Sequence, residues 1–163
     1  MILALETATT ACSAALCAAD GSVVAERLAL DGPAHSRLLL PFVHEILGET
    51  GAGWDDIETV AVGLGPGAFT GLRIGIATAR ALAQADGRAG LAGVPTLTAL
   101  ALALAGAPEA APGRLLVPLV DGRRREVFAA VFEITGVGLR QIEDVTVVAA
   151  DRLAAWLAAR GEA

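Results

Sequence analysis

The sequence predicts an α/β fold made from two copies of one unit, and three stretches of the 163-residue chain support this prediction. An apolar run at residues 57–62 leads into a glycine-rich stretch and then into small residues at 74–85, an order typical of strand, turn and helix. The chain opens with three short apolar strands. A similar series begins after residue 113, which indicates an internal repeat.

The composition favours a folded protein and argues against several classes of protein: free-standing nucleic-acid binders, proteins with a signal peptide and membrane proteins. Apolar residues make up 55% of the chain, enough to bury a core. The net charge of −6 argues against a free-standing nucleic-acid binder, although not against a subunit whose partner holds the nucleic acid. The apolar amino terminus lacks a basic region and is interrupted by Glu6, unlike a signal peptide. No segment reads as membrane-spanning, so no membrane association is expected.

The two cysteines, Cys12 and Cys17, lie five residues apart in a strand-like run. Residues at that spacing point to opposite faces of a strand, so the two thiols are not expected to pair. They are typical of reduced core residues in a cytoplasmic protein, and no histidine near them indicates a metal site.

The first unit is predicted to open with strands at residues 1–5, 12–19 and 22–30, with a hairpin turn at Asp20-Gly21. Asp31-Gly32-Pro33 ends the third strand. A helix is predicted over 34–49, and Pro41 inside it implies a kink or a late start. His35 and His44 are expected to face different sides of that helix, which argues against a metal site. The helix carries an apolar stripe at helical spacing: Leu38, Leu39, Phe42, Val43, Ile46 and Leu47.

The chain then continues with a strand at 57–62, a helix, a strand at 88–94 and a helix at 96–105. The stretch 106–113, with two prolines, is the best boundary, so the predicted domains are 1–107 and 108–163. The second domain is predicted to hold strands at 115–120, 126–134 and 139–149, then a helix capped by Asp151. Because it lacks the strands and helices that complete the first domain, it is expected to be incomplete.

The glycine-rich loop at 63–73 admits two interpretations. Gly65 and Gly67 permit a tight strand-to-helix turn with close helix packing, and Thr70 is a plausible N-cap. The alternative is an anion site on free backbone N–H groups. Neither the Walker pattern nor the dinucleotide pattern is met, which favours the tight turn.

The helix that follows the loop carries a ridge of very small residues, Gly71, Gly75, Ala79 and Ala83, spaced every four positions. A ridge with almost no side chain lets another element approach closely. The partner of this ridge belongs either to the same chain or to another one.

Two charged features each admit two interpretations. Glu6 ends the first strand, where several nucleotide-handling folds place a carboxylate that faces a metal or phosphate; the alternative is a solvated turn residue. Arg123, Arg124 and Arg125 form a predicted hairpin tip that is either an anion site or an ordinary charged turn.

Four segments, taken together, resemble the TsaB (YeaZ) family: residues 2–9, His35 with 39–41, residues 65–73, and residues 121–123 with 126–128. The resemblance implies an actin-like, sugar-kinase-like ATPase fold with two ribonuclease-H-like domains. Glu6, Ala68 and Gly122 stand where the family more often has Asp, Ser and Ala.

The resemblance implies a non-catalytic partner subunit of TsaD in the threonylcarbamoylation of the tRNA adenosine next to the anticodon. TsaD binds its metal through a His-x-x-x-His pair, and Thr96 and Leu100 fall at those positions here. The implied partners are TsaD, the ATPase TsaE, a second copy when the chain is alone, and tRNA only through the complex. The implied location is cytoplasmic. No metal or cofactor is implied beyond weak ATP or ADP binding.

The resemblance places the partner interface on the helices at 34–49 and 70–86. The predicted interface residues are Leu38, Leu39, Phe42, Val43, Ile46, Gly71, Leu72, Gly75, Ile76, Ala79, Arg80 and Ala83. The predicted nucleotide-facing residues are Glu6, Thr7, Thr9, Gly65 and Gly67.

The competing hypothesis is an enzyme in its own right, either a weak ATP-binding enzyme or a glycoprotease-like hydrolase. A hydrolase needs a metal or an activated nucleophile, and the sequence offers no Cys–His or Ser–His spacing for one. ATP hydrolysis needs phosphate and metal contacts and a general base, and no base is evident. The sequence therefore favours the interaction subunit.

Overall fold

A computed structural model describes residues 1–30, 35–108 and 110–161, and the chain divides into two units, Met1–Thr96 and Leu97–Ala163. The predicted strand break at Asp31-Gly32-Pro33 and the predicted helix start at residue 34 lie outside the described residues. In the described part of the chain, no helix is both long and apolar enough to cross a membrane.

The first unit is built on a five-stranded mixed sheet. Its strands are β1 (Ile2–Glu6), β2 (Cys12–Cys17), β3 (Val23–Ala29), β4 (Thr59–Gly63) and β5 (Gly90–Val94). The order across the sheet is β3-β2-β1-β4-β5, with β1 antiparallel to β2 and parallel to β4. Leu3 pairs with Leu16 on one side and with Val60 on the other, so apolar side chains line up across three strands.

Two helices, α1 (His35–Thr50) and α2 (Phe69–Asp86), contact this sheet and each other. The apolar stripe of α1 faces the sheet, because Leu39, Val43 and Ile46 are at most 2% exposed and share one core with the strands. Ala79 and Ala83 of α2 enter the same core. The burial of the stripe is what amphipathic spacing requires of a helix on a sheet.

The second unit holds α3 (Thr96–Ala105), the strands β6 (Leu115–Leu116), β7 (Leu119–Arg123), β8 (Glu126–Thr135) and β9 (Gly138–Ala149), and α4 (Leu153–Gly161). Strand β8 is central: β9 pairs with it on one edge, and β6 and β7 pair with it in succession on the other. Both units thus run as an antiparallel meander followed by a helix, which matches the predicted repeat.

The boundary between the units lies between residues 96 and 97, just after the first residue of α3, whereas the sequence predicted it after α3 at 107. The reason is that Leu97 and Ala101 of α3 join the second unit's core with Val120, Ala130 and Phe132. A proline-rich linker marks a chain break in sequence, but burial decides which core a helix joins.

Local differences from the prediction have simple causes. The predicted strand at 115–120 is split, because Pro118 has no N–H to donate to the ladder. The predicted N-cap, Thr70, is wrong: the cap is Ala68, and Thr70 lies exposed in the first turn of α2. Asp151 lies in a 3-10 turn ahead of α4 instead of capping it. Residues 54–56, just ahead of the predicted strand at 57–62, also form a 3-10 turn.

The two cysteines lie on opposite faces of β2, as predicted: Cys12 is 1% exposed and Cys17 is half-buried. Burial raises the pKa of both thiols, and the nearby Glu26 carboxylate raises that of Cys17 further. Because the thiolate is the reactive form, both should alkylate more slowly than a free thiol at pH 8. Iodoacetamide labelling followed by mass spectrometry should find Cys17 modified well before Cys12. Rapid labelling of Cys12 in the folded chain would contradict the described burial.

Candidate functional site

The loop after β1 and the glycine loop are joined directly through their backbones. The Ala68 N–H donates to the carbonyl oxygen of Ala8 at 2.6 Å. A Cβ on Gly67 would lie only 2.1 Å from that same oxygen, so a side chain at this position has no room. The Gly65-Pro66 peptide bond is cis, and Gly65 has a φ of 86° that favours glycine. These two loops therefore pack against each other as one rigid corner of the sheet.

Glu6 braces this corner with both oxygens of its half-buried carboxylate. Oε1 accepts hydrogen bonds from the N–H groups of Thr7 at 2.7 Å and Ala8 at 2.6 Å. Oε2 accepts one from the hydroxyl of Thr96 at 2.9 Å. The Thr96 hydroxyl in turn accepts from the N–H of Gly65 at 3.1 Å, and the Thr96 N–H donates to the Gly65 carbonyl at 2.8 Å. Glu6 thus holds the ends of β1, β4 and β5 together.

Gly63, the last residue of β4, makes this brace sterically possible. A Cβ there would lie 2.2 Å from Oε2 of Glu6. The carboxylate fills the space that any larger residue would need. The Glu6 carboxylate is therefore engaged by three donors within the first unit instead of being solvated at a turn.

Thr7 is the partner of the small-residue ridge on α2. Its side chain is 1% exposed, and its hydroxyl donates to the carbonyl of Gly71 at 2.8 Å. A Cβ on Gly71 would lie 2.0 Å from the Thr7 carbonyl oxygen, and one on Gly75 would lie 2.3 Å from the Thr7 hydroxyl. The ridge therefore packs inside its own chain, which resolves the alternative that the sequence left open.

The five predicted nucleotide-facing residues all have internal contacts. The buried side chain of Thr7 is not available to a ligand. The hydroxyl of Thr9 accepts from the N–H of Ala11 at 3.1 Å. Glu6, Gly65 and Gly67 act in the corner described above. The structure brings these residues together as predicted, and their described contacts join the loop after β1 to the glycine loop.

Seven of the twelve predicted interface residues are buried within the first unit and contribute to its packing. They are the core-facing positions of the two helices: Leu39, Val43, Ile46, Gly71, Gly75, Ala79 and Ala83. The other five remain accessible, with Arg80 exposed and four side chains half-buried: Leu38, Phe42, Leu72 and Ile76. An apolar stripe by itself gives no sign of whether a sheet or a partner covers it.

The structure adds two exposed apolar side chains that the sequence analysis missed. Leu40 on α1 is 52% exposed, and Phe69 at the start of α2 is 72% exposed. The Arg73 guanidinium lies 5.4 Å from the Phe69 ring centroid. Beside them, α2 has a shallow depression of about 300 Å³ lined by Thr70, Arg73, Ile74 and Ala77. We call Leu40, Phe69 and the five accessible residues the outer surface of α1 and α2. Helical periodicity did not identify Leu40, because it lies outside the predicted apolar stripe.

The two histidines differ in burial. His35 is the first residue of α1 as described, it is 7% exposed, and its Nδ1 has no hydrogen-bond partner among the described residues. Its ring packs beside Gly71, since a Cβ there would lie 3.4 Å from Cδ2. His44 is exposed. Within residues 1–30, 35–108 and 110–161, no three His, Cys, Asp or Glu side chains are grouped to hold a metal ion.

The second unit contains a cavity of about 750 Å³. Its described lining is mainly apolar, from Leu104 to Leu157, with Arg114 and Arg160 as its charged members. Arg160 is already engaged, because its guanidinium bonds Glu143 at 2.6 Å and stacks 3.6 Å from the Trp156 ring centroid. The described lining offers no carboxylate, thiol or imidazole for catalysis.

Comparisons with known proteins agree with this architecture. A family model described as "TsaD: tRNA N6-adenosine threonylcarbamoyltransferase" matches residues 22–162. The chain is 39% identical over 132 residues to the tRNA threonylcarbamoyladenosine biosynthesis protein TsaB of Escherichia coli, covering 81% of this chain and 54% of that protein. It is 31% identical over 161 residues to TsaB of Bacillus subtilis, covering 96% and 64%. YeaZ from Pseudomonas aeruginosa superimposes with a TM-score of 0.77 at 31% identity, covering 91% of this chain and 67% of that one.

The duplicated meander-and-helix units define a protein of the actin-like ATPase class, with ribonuclease-H-like domains. The chain spans 54% of the E. coli relative, about half its length. The chain belongs to the TsaB (YeaZ) family.

Proposed function

We propose that this protein is a non-catalytic partner subunit that binds TsaD and supports the synthesis of threonylcarbamoyladenosine in tRNA. The names of its relatives, tRNA threonylcarbamoyladenosine biosynthesis proteins, support the pathway. The match to a TsaD family model supports a structural kinship with the proposed partner. TsaE and tRNA are proposed to join through the complex, at a cytoplasmic location.

The observation that carries the non-catalytic part of the proposal is the state of the Glu6 carboxylate. Both of its oxygens accept hydrogen bonds from within the first unit. Thr96, which the family resemblance aligns with a metal-binding histidine of TsaD, supplies one of those bonds and has no imidazole nitrogen for a metal. A carboxylate committed to three donors is poorly placed to orient a metal or a phosphate. We therefore propose no resident cofactor and at most weak ATP or ADP binding.

The outer surface of α1 and α2 is the proposed binding surface for TsaD. Leu40 and Phe69 are 52% and 72% exposed, although other apolar positions of their helices are buried in the core of the first unit. Apolar side chains that are grouped on exposed helices favour association, and aromatic and arginine residues are frequent anchors in interfaces. In the absence of TsaD the same surface is proposed to pair two copies of the chain.

A pair of charge substitutions tests this surface. Leu40→Glu and Phe69→Glu are each expected to weaken TsaD binding at least about tenfold, because a carboxylate would be buried against apolar partner groups. The fold should tolerate both, since the side chains are exposed and a glutamate suits the first turn of α2. Isothermal titration calorimetry with TsaD from the same organism measures the change.

Leu102→Glu is the matched control, since Leu102 is a 56% exposed helical leucine on α3. It should bind TsaD as the unsubstituted chain does. If all three variants lose the same affinity for TsaD, the added negative charge explains the loss and the position of the substitution does not. Full binding by Leu40→Glu and Phe69→Glu would refute the assignment of this surface.

A further inference from the structure

The tip of the β7–β8 hairpin concentrates positive charge in an acidic protein. The chain has no lysine, and three of its twelve basic residues are the consecutive Arg123, Arg124 and Arg125. All three are exposed. None of them forms an ion pair with a described residue, whereas Arg27, Arg88, Arg140 and Arg160 do. The three guanidinium groups are therefore available to a partner.

The backbone at the tip has positive φ angles, which arginine rarely adopts. Arg123, Arg124 and Arg125 have φ angles of 62°, 51° and 64°. Two consecutive residues with positive φ suit a tight hairpin turn, but such turns usually contain Asn and Gly. Arginine gains nothing from a left-handed backbone, so local preference does not explain this sequence. The charge and the donor groups of the side chains are the property that glycine or asparagine would not supply.

The tip is also held in a fixed position. The Arg123 N–H donates to Oδ1 of Asp121 at 2.7 Å, and the Arg125 carbonyl accepts from the N–H of Ala150 at 2.8 Å. Gly122 lies close under the turn, since a Cβ there would be 3.1 Å from the Glu126 carbonyl oxygen. These contacts engage main-chain atoms and leave the three guanidinium groups free, so the tip presents a pre-organised cationic surface.

We propose that the Arg123–Arg125 hairpin tip binds the phosphodiester backbone of RNA. Guanidinium groups match phosphate oxygens through paired hydrogen bonds, which makes arginine well suited to this contact. The net charge of −6 repels RNA from the rest of the chain, so a local cationic tip fixes where contact occurs. The choice of RNA as the partner rests on the proposed function in tRNA modification.

Two triple substitutions separate charge from turn structure. The variant with Arg123→Gly, Arg124→Gly and Arg125→Gly removes the charge and relieves the left-handed backbone, so the hairpin should persist. The variant with lysine at all three positions keeps the charge. A charge-matched control carries Arg37→Ala, Arg88→Ala and Arg140→Ala, three exposed arginines outside the tip and its printed contacts.

Fluorescence anisotropy with a labelled, unmodified tRNA transcript measures binding by the chain, alone and with equimolar TsaD, over a salt series. We expect the glycine variant to bind RNA about tenfold more weakly. The slope of log K against log salt should fall by about two, from three phosphate contacts at roughly 0.7 each. The lysine variant should keep most of the slope, and the alanine control should bind nearly as the unsubstituted chain does.

The proposal is overturned if the glycine variant keeps the full salt slope, or if the chain adds nothing to RNA binding with or without TsaD. It is equally overturned if the glycine variant loses TsaD binding while its own RNA binding is unchanged, since the tip would then contact an acidic protein surface. Failure of the chain to bind TsaD in calorimetry would instead remove the proposed function, and the RNA measurement on the chain alone still decides the role of the tip.

Discussion

Replacing Gly75 by leucine is expected to unfold the first unit, with loss of the cooperative thermal transition or a destabilisation of about 3 kcal/mol or more. A single Cβ at Gly75 would already lie 2.3 Å from the Thr7 hydroxyl and 3.5 Å from Cγ2 of Val62. The remaining leucine atoms would have to displace α2 from the sheet. Circular dichroism at increasing temperature measures the effect.

Gly48→Ala on α1 is the matched control, because a Cβ there meets nothing within 4 Å. Alanine should stabilise this exposed helical position by about 0.5–1 kcal/mol. The two glycine substitutions are therefore expected to act in opposite directions. A Gly75→Leu chain that stays folded and only loses partner binding would contradict the internal role of the ridge.

Glu6→Ala is expected to lower the free energy of unfolding by about 4–5 kcal/mol. It removes three hydrogen bonds to a charged acceptor, at roughly 1.5 kcal/mol each. The N–H groups of Thr7 and Ala8 lose their acceptor, and the Thr96 hydroxyl loses its link between β1 and β5. Urea denaturation measures the loss. The free energy of unfolding of Glu6→Gln should lie between those of the unsubstituted chain and Glu6→Ala. Its amide oxygen can still accept hydrogen bonds, whereas its NH₂ group would face another donor.

Glu58→Ala gives the control for Glu6, because the Glu58 side chain is 80% exposed and, among the described residues, pairs only with the amino group of Met1. Such a surface pair contributes about 0–1 kcal/mol. Removal of a catalytic or metal-facing carboxylate often leaves stability unchanged or increases it, since active-site groups are often held at a cost to stability. Unchanged or increased stability in Glu6→Ala would therefore revive the hypothesis of a catalytic or metal-facing role.

The sequence predicted the elements of the first unit well because their signals are local. Strand runs, the stripe of α1 and the turn glycines each depend on residues close together in the chain. In the second unit, the predicted helix at 96–105 has the bounds of α3. The split of the 115–120 strand also follows from the sequence, because Pro118 has no N–H to donate to a ladder. The boundary between units depends on tertiary burial of Leu97 and Ala101, which a linker signal does not reveal.

The site was harder to predict, because the same residue pattern is compatible with more than one kind of contact. A glycine ridge permits close approach by any element, and only the 2.8 Å bond from Thr7 to Gly71 identifies that element as the loop after β1. Glu6 at a strand end suits a metal, a phosphate or a set of N–H donors equally well. The donor from Thr96 comes from 90 residues away, so no local pattern contains it.

The most direct test of the central claim is light scattering behind size exclusion on the chain alone, on TsaD of the same organism, and on their mixture. A non-catalytic partner subunit predicts a homodimer of the chain that converts on mixing to a heterodimer with TsaD, a conversion that Leu40→Glu prevents and Leu102→Glu does not. A chain whose mass and elution are unaffected by TsaD would contradict the account.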